Sequence, residues 1–429
     1  MKKDKYGNIN VLLLGYWGEG HDGGFLTDSI IIASRNPEVG NISMFSIPRD
    51  LRVKYPNGAY GRINGVFHNF LTKTQDHTLS ASGFSENIGT MLNMEIPYFA
   101  TIDFVAFKEV VDAIGGIDIL IPETIHDTTY PNEANRGYIT FHIDAGLQHL
   151  DGDIALKYAR SRHSTSDFSR SLRQQQIIMG IKDKVLSSGL SLENAQELYG
   201  QYKTYVSTNI TLSEMLRTVQ YIKNLNNFTS FGFTTYCSYS NFLNMSSACF
   251  LYTPERELFW GASIILPLGA TANRIQEYGK MQDFTRLIVS NPAFVKQNAS
   301  IEVINGIDKQ VARQNRMSGI PFAGNLAAKL KRYGFNIINT ENAEFTGARS
   351  YISINNIGDF TPTIQVIQSF VSISDIRYNT GNVMTGQDEY GNEITYIDGA
   401  DISLYLGADY LVGSESLSGL VQKKFSYDL

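Results

Sequence analysis

Cysteine is scarce in this chain of 429 residues: only Cys237 and Cys249 are present, twelve positions apart in a Ser- and Asn-rich stretch. A disulfide-stapled miniature scaffold is thereby excluded. A thiolate metal cage is excluded too, since neither cysteine has a second cysteine or a histidine close by in sequence. The pair is either two free thiols or one loop-closing disulfide of an oxidising compartment. Charge is also sparse, at 18% against a usual share of about 25%, while 43% of residues are hydrophobic. Disorder is therefore excluded and a sizeable core is available. There is no cationic excess: 36 Lys and Arg against 42 Asp and Glu leave a net charge of −6. A generally basic surface that coats nucleic acid is ruled out, and no helix-turn-helix signature suggests a DNA reader. Long apolar runs are missing as well. The longest, Val11 to Leu14, Ile30 to Ala33 and Ile264 to Leu268, are strand-sized, whereas a membrane span needs about 20 residues. The opening Met1-Lys2-Lys3-Asp4-Lys5 has no apolar signal core. Either the protein is cytosolic or an anchor lies outside this sequence.

What is present reads as an α/β protein, a layered mixed sheet with helices on both faces, followed by a second, smaller α/β domain. Short apolar runs at Val11 to Leu14, Ser29 to Ala33 and Ile42 to Ile47, separated by a glycine-rich loop and a turn at Asn36 to Gly40, predict an antiparallel strand meander. In that meander Gly15, Asp28 and Arg49 converge on one edge. Phe104 to Ile114 has helical periodicity and is followed by a strand over Ile117 to Ile121. Asp167 is placed to cap a helix from Phe168 to Leu186. On that helix Arg170, Arg173 and Gln174 share the face that continues as Ile177, Ile178, Ile181 and Val185. The texture changes after Pro267-Leu268-Gly269, with a helical stretch from Thr271 to Ser290 and a new strand at Ile301. The expected division is a first, larger domain over 1–270, a helical linker over 271–299, an α/β domain over 300–413 and a tail over 414–429. Asn379 to Asn392 is expected to be a surface loop.

The chemistry concentrates in one segment. Lys157, Arg160, Arg162, Arg170 and Arg173 fall within seventeen residues that hold one carboxylate, Asp167. The chain average of 36 cations in 429 residues would place between one and two there. Planar guanidinia bind phosphate oxygens in pairs, and a helix N-terminus adds free N–H groups, so the cluster points to a phosphate or pyrophosphate. Arg160 and Arg162 alternate with Ala159 and Ser161, placing both guanidinia on one side if the segment is extended. Asp28 follows a glycine-rich loop carrying Glu19, His21 and Asp22. A carboxylate beside a phosphate site calls for a cation such as Mg²⁺ between them.

These residues carry a resemblance. Asn10-Val11-Leu12-Leu13-Leu14-Gly15, Thr27-Asp28-Ser29, Ser46-Ile47-Pro48-Arg49-Asp50 and Arg62-Ile63-Asn64 resemble the catalytic domain of the LytR-CpsA-Psr family of bacterial cell-wall glycopolymer ligases. Val111 to Ile117, Gly146 through Tyr158-Ala159-Arg160-Ser161-Arg162, and Asp167 to Gln175 follow in the family's order. The tail resembles a LytR C-terminal domain through Val303-Ile304-Asn305-Gly306, Gly334-Phe335 and Ala400 to Tyr410. The resemblance implies a membrane-anchored transferase on the outer side of the cytoplasmic membrane. It would move a glycopolymer from a polyprenyl-pyrophosphate carrier to a peptidoglycan sugar hydroxyl. It implies pyrophosphate contacts from Arg49, Arg160, Arg162, Arg170 and Gln174, catalytic roles for Asp28, Arg49 and Arg160, and Mg²⁺ at Asp28; Arg173, on the same helix face, is expected to be a further pyrophosphate contact. Two positions depart from the family's pattern: Trp17 stands where an aspartate is common and Leu26 where an arginine is. Glu19 or Asp22 is the expected substitute metal ligand.

Two other readings accompany this one. A pyrophosphatase would hydrolyse the same carrier with water in place of the sugar hydroxyl, and a non-catalytic lipid- or glycan-binding wall scaffold would follow if Trp17 disables metal binding. An apolar groove for carrier lipid would draw on Phe99, Phe104, Phe107 and the Ile177/Ile181 stripe.

Overall fold

The computed structural model describes residues 1–21, 23–132, 137–161, 167–187, 200, 206–222, 228–237, 239–240, 245–379, 383–387, 393–397 and 399–411. The chain divides into two compact units, Met1–Ser290 and Asn291–Leu429.

In the first unit β1 (Ile9–Tyr16), β2 (Thr27–Asn36) and β3 (Asn41–Ser46) form the expected antiparallel meander. A small hairpin, β4 (Arg52–Lys54) with β5 (Tyr60–Arg62), and helices α1 (Val66–Thr74) and α2 (His77–Leu92) lead to β6 (Tyr98–Asp103), which runs parallel to β1. Next come α3 (Phe104–Ala113), β7 (Ile117–Ile121), β8 (Ile125–Asn132), β9 (Gly137–Ile143) and β10 (Gly146–Leu150). β8 and β9 form a hairpin enclosed by the β7–β10 pair. Helices α4 (Gly152–Arg160) and α5 (Asp167–Ser187) follow, then β11 (Val206–Thr208), α6 (Leu212–Ile222), β12 (Phe228–Phe233), β13 (Tyr239–Ser240) and β14 (Met245–Ala248). The main sheet is mixed, in the order β11-β6-β1-β2-β3-β12-β14-β13.

The strands at its centre read as continuous apolar runs because both faces are covered. Leu12, Ile32 and Phe45 are cross-strand partners on one face, where Phe284 of α7 (Gly279–Ser290) packs edge-on against Phe45. Leu13, Ile31, Ala33 and Met44 lie on the other face with Ile178 and Met179 of α5. Cys237 and Cys249 are joined as a disulfide with their Cα atoms 5.1 Å apart.

Three local expectations are corrected. The stretch expected to be helical from Thr271 becomes helix only at Gly279, after an isolated bridge between Thr271 and Arg274. That helix is a wall of the first unit rather than a linker, because Phe284 is fully buried among Phe45, Phe231, Phe233 and Phe250. Ala159 and Arg160, expected to belong to an extended segment with Arg162, are the last residues of a helix instead. Asp151 caps α4 by accepting the Ile154 N–H at 2.8 Å, and buried Ala155, Tyr158 and Ala159 recur at helical spacing. α5 already includes Asp167, one residue earlier than a capping role would place it. Gly152 is required where α4 starts against α3: a Cβ there would lie 2.2 Å from the Lys108 carbonyl oxygen.

The second unit is α/β. Its five-stranded sheet runs in the order Asn336–Asn342, Ser300–Asn305, Ile402–Leu406, Tyr351–Ile354, Ile376–Tyr378. Helices Phe322–Arg332 and Thr361–Phe370 bury one apolar face each. The region expected to be a surface loop contributes Val383–Gln387 to a hairpin with Glu393–Ile397. No helix among the described residues is long and apolar enough to cross a membrane.

Phe284→Ala removes a fully buried ring that touches four other phenylalanines, and the void cannot collapse between a helix and a sheet. The variant is expected to lose about 3–5 kcal/mol of first-unit stability in urea unfolding.

Candidate functional site

The ladder between β1 and β2 breaks at one point, where Gly15 pairs with Ser29 and Tyr16 pairs with Thr27. Asp28 is the extra residue of this bulge, a device that re-aims a side chain at the end of a strand. Its Oδ1 accepts a short hydrogen bond from Arg49 Nη1, and both side chains are 19% exposed. Arg49 follows Pro48 at the end of β3, so the meander brings Gly15, Asp28 and Arg49 together as its topology dictates. Asp50, the sequence neighbour of Arg49, lies 3.9 Å from its Nε and pairs instead with Arg62 at 3.2 Å. Arg49 Nε is buried without a hydrogen-bond partner among the described residues.

A cavity of about 500 Å³ opens here, lined by Asp28, Ser29, Arg49, Arg160, Arg170 and Gln174 together with Trp17, His21, Phe104, Asp127, Thr129, Pro131 and Tyr138. Arg160 is the last residue of α4, where a cation also complements the helix dipole. Its guanidinium carbon lies 3.9 Å from the Trp17 ring centroid and 5.1 Å from that of Phe104, and Nη1 donates to the Tyr130 hydroxyl at 3.1 Å. Trp17 in turn stacks on His21 at 4.0 Å between centroids with planes 5° apart. The aromatic rings hold the guanidinium in place in the cavity wall.

Arg173 is in a different place. It is 5% exposed, and its Nε donates to the Tyr158 carbonyl at 2.9 Å while Nη2 donates to the Ser161 carbonyl. Burial pushes its pKa down to about 10 and pushes the neighbouring Tyr158 phenol up to about 12. Arg173 therefore ties the C-terminal end of α4, and with it Arg160, to α5, and it does not line the cavity. Its assignment to direct pyrophosphate contact is replaced by this supporting position. The physical reason is that a buried helix end must satisfy its last carbonyls. Glu19 is exposed and is not among the cavity-lining residues. Asp22 and Arg162 lie outside the described residues.

Sequence reasoning missed the hairpin's contribution. Asp127 is 1% exposed; its Oδ2 accepts from Ser161 Oγ at 2.8 Å, and its Oδ1 accepts from Thr129 N and Oγ1 at 3.0 Å each. It ties the hairpin to the residue that follows α4. Only the alternation of β8, with Ile125 and Asp127 on one side, signalled that this carboxylate points inward.

A second cavity of about 260 Å³ shares Ser29, Phe104, Arg160 and Gln174 with the first and is otherwise apolar, lined by residues such as Leu13, Ile31, Phe107, Ile177, Ile178 and Ile181. Of the expected apolar groove, Phe104, Phe107, Ile177 and Ile181 are in its wall. Phe99 is 1% exposed and is not. Among the described residues no three His, Cys, Asp or Glu side chains are grouped to hold a metal ion. Asp28 is the one carboxylate of the cavity wall expected to meet a cation. Because Mg²⁺ ordinarily takes one or two carboxylates and fills its shell with water and phosphate oxygens, this residue suits a protein share of such a site.

The LytR_cpsA_psr family model matches residues 1–242. Among similar proteins is the polyisoprenyl-teichoic acid–peptidoglycan teichoic acid transferase TagV of Bacillus subtilis, 29% identical over 218 residues, which are 50% of this chain and 52% of TagV. The corresponding transferase TagU of Bacillus anthracis is 29% identical over 220 residues, 50% of this chain and 64% of TagU. The chain thus spans about half to two thirds of the length of these relatives. The crystal structure of B. subtilis TagV superposes with a TM-score of 0.46 at 23% identity, covering 66% of this chain and 99% of that one.

Arg173→Lys cannot serve both carbonyls that the guanidinium spans. The substitution is expected to cost about 1–3 kcal/mol, the price of a buried unpaired acceptor, read as a lowered urea midpoint at unchanged slope.

Proposed function

The chain belongs to the LytR_cpsA_psr family, and on that premise we propose that it transfers a glycopolymer from a polyprenyl-pyrophosphate carrier to a peptidoglycan sugar hydroxyl. The observation that carries the reading is the joined pair of cavities. A polar chamber with Arg49, Arg160 and Arg170 meets an apolar one at Arg160, Gln174, Phe104 and Ser29. A lipid pyrophosphate has the matching division, a doubly anionic head on a hydrocarbon tail. Family membership and the transferase names of the relatives support the same substrate class.

In this reading the acceptor hydroxyl forms a P–O bond at the phosphorus that bears the glycopolymer, the anhydride bond breaks, and polyprenyl phosphate leaves with the hydroxyl proton released to water. The protein's task is to position the diphosphate and to stabilise charge on the leaving phosphate. Arg160, immobilised by Trp17 and Tyr130, presents a fixed guanidinium to the head group. Arg49, whose Nε has no hydrogen-bond partner among the described residues, adds a second guanidinium, and Arg170 and Gln174 approach from α5. Arg162 is proposed to join them. Asp28 would hold Mg²⁺, with Glu19 or Asp22 as further candidates, and a bound cation would neutralise the diphosphate. The Ile177/Ile181 stripe would receive the first part of the tail. The Cys237–Cys249 disulfide supports an extracytoplasmic site of action in the cell envelope. A membrane anchor outside this sequence would hold the enzyme near its lipid substrate. The second unit, LytR-like in its motifs, would serve as a positioning module for glycan or partner.

The test is product analysis with a polyprenyl-pyrophosphate-linked glycan, with and without peptidoglycan. Acceptor-dependent transfer is expected, and Arg160→Ala should slow it by roughly one to two orders of magnitude, the worth of one charge-assisted hydrogen bond. Release of free polymer at a rate indifferent to acceptor would overturn the ligase reading in favour of hydrolysis. Chelation with EDTA is expected to abolish turnover and Mg²⁺ to restore it; turnover that survives chelation would remove the cation from the proposal.

A further inference from the structure

The β8–β9 hairpin carries a second group of coordinating side chains, on the strand face opposite its buried residues. Ile125, Asp127, Tyr130, Phe141 and Ile143 are buried. His126 and His142 are exposed and stand directly opposite each other in the ladder. Their Nδ1 atoms are 3.3 Å apart, with the rings inclined at 68°. His142 Nε2 faces Asp144 Oδ1 at 3.1 Å. A carboxylate at that nitrogen holds the proton on Nε2 and leaves the Nδ1 lone pair directed towards His126, the arrangement by which outer carboxylates prepare imidazoles for metal.

Two imidazole nitrogens bound at about 2.0–2.1 Å to one tetrahedral zinc ion are about 3.3–3.4 Å apart. The spacing found between His126 and His142 is therefore already that of a chelating pair. A cation can replace the shared proton while each exposed ring turns in place. We propose that His126 and His142 form a two-nitrogen site for a borderline divalent transition metal, Zn²⁺ in the first instance, with Asp144 as its positioning carboxylate. No third His, Cys, Asp or Glu among the described residues joins them, so water completes the shell. The bound ion would clamp the hairpin next to its bulge between Asp127 and Tyr130, the residues that reach Ser161 and Arg160. His149 supplies an internal contrast. It also faces a carboxylate, Asp118 at 2.7 Å, but lacks the second imidazole and is not expected to bind.

The experiment is calorimetric titration of the full chain with zinc chloride at neutral pH, together with anomalous scattering at the zinc edge from crystals soaked in the same salt. Stoichiometric uptake is expected in the wild type and in His149→Ala, and its loss in His126→Ala and His142→Ala. Asp144→Asn, which keeps both ligands, is expected to weaken binding by about 10–100-fold. An anomalous peak between the two Nδ1 atoms is expected. The inference is overturned if the wild type takes up no stoichiometric zinc, if the histidine variants retain it, or if the anomalous peaks lie only elsewhere. The crystal measurement uses the wild type alone and so does not depend on the variants folding.

Discussion

Burial of the central sheet on both faces is the constraint that the first unit is built around. Strands such as β3, with every residue buried, cannot carry ionised groups in mid-strand, because an unpaired charge there would face hydrocarbon above and below. Polar chemistry is confined to the strand ends and to the elements that cross them. Asp28 and Arg49 are at the ends of neighbouring strands, and the arginines of α4 and α5 come to the same place from one layer. The site lies at one end of the sheet, where strand ends and crossing helices leave room for charge.

Within that frame the arginines divide their work according to what surrounds them. Arg160 is held against rings, which fix its guanidinium at the cavity wall. Arg173 is held by carbonyls, which use its donors in keeping the end of α4 in place. Arg49 lies between these cases, shared with Asp28 while its buried Nε has no hydrogen-bond partner among the described residues. A cluster that is uniform in sequence thus separates into positioned charge and structural support, and burial makes the separation.

Much of the fold was legible because strand patterns buried on both sides are short and bounded by turns. The meander, the helix at Phe104 and the strand at Ile117 appear where periodicity placed them, and topology alone brought Asp28 to Arg49. The failures share a cause. The helix at Gly279 was read as a linker because nothing local reveals that Phe284 enters an aromatic cluster with Phe45, more than two hundred residues away. The alternation of Arg160 and Arg162 suggests an extended segment, whereas the cap at Asp151 starts a helix that runs through Arg160. Arg173 was grouped with site residues because helix phase gives the face of a side chain but not the carbonyls it will find there. The part played by Asp127 depends on a partner, Ser161, across a hairpin and a helix, and such pairings leave little trace in a single sequence.

The bulge at Asp28 has a consequence for how this protein can change. The extra residue interrupts a ladder that would be more regular without it, so the sheet does not need Asp28, while the proposed site does. Selection for a robust scaffold and selection for chemistry therefore pull in opposite directions at one position. Loss of a single residue there would regularise the ladder and take from the cavity wall the carboxylate that meets Arg49, leaving Asp127, which is committed to Ser161 and Thr129.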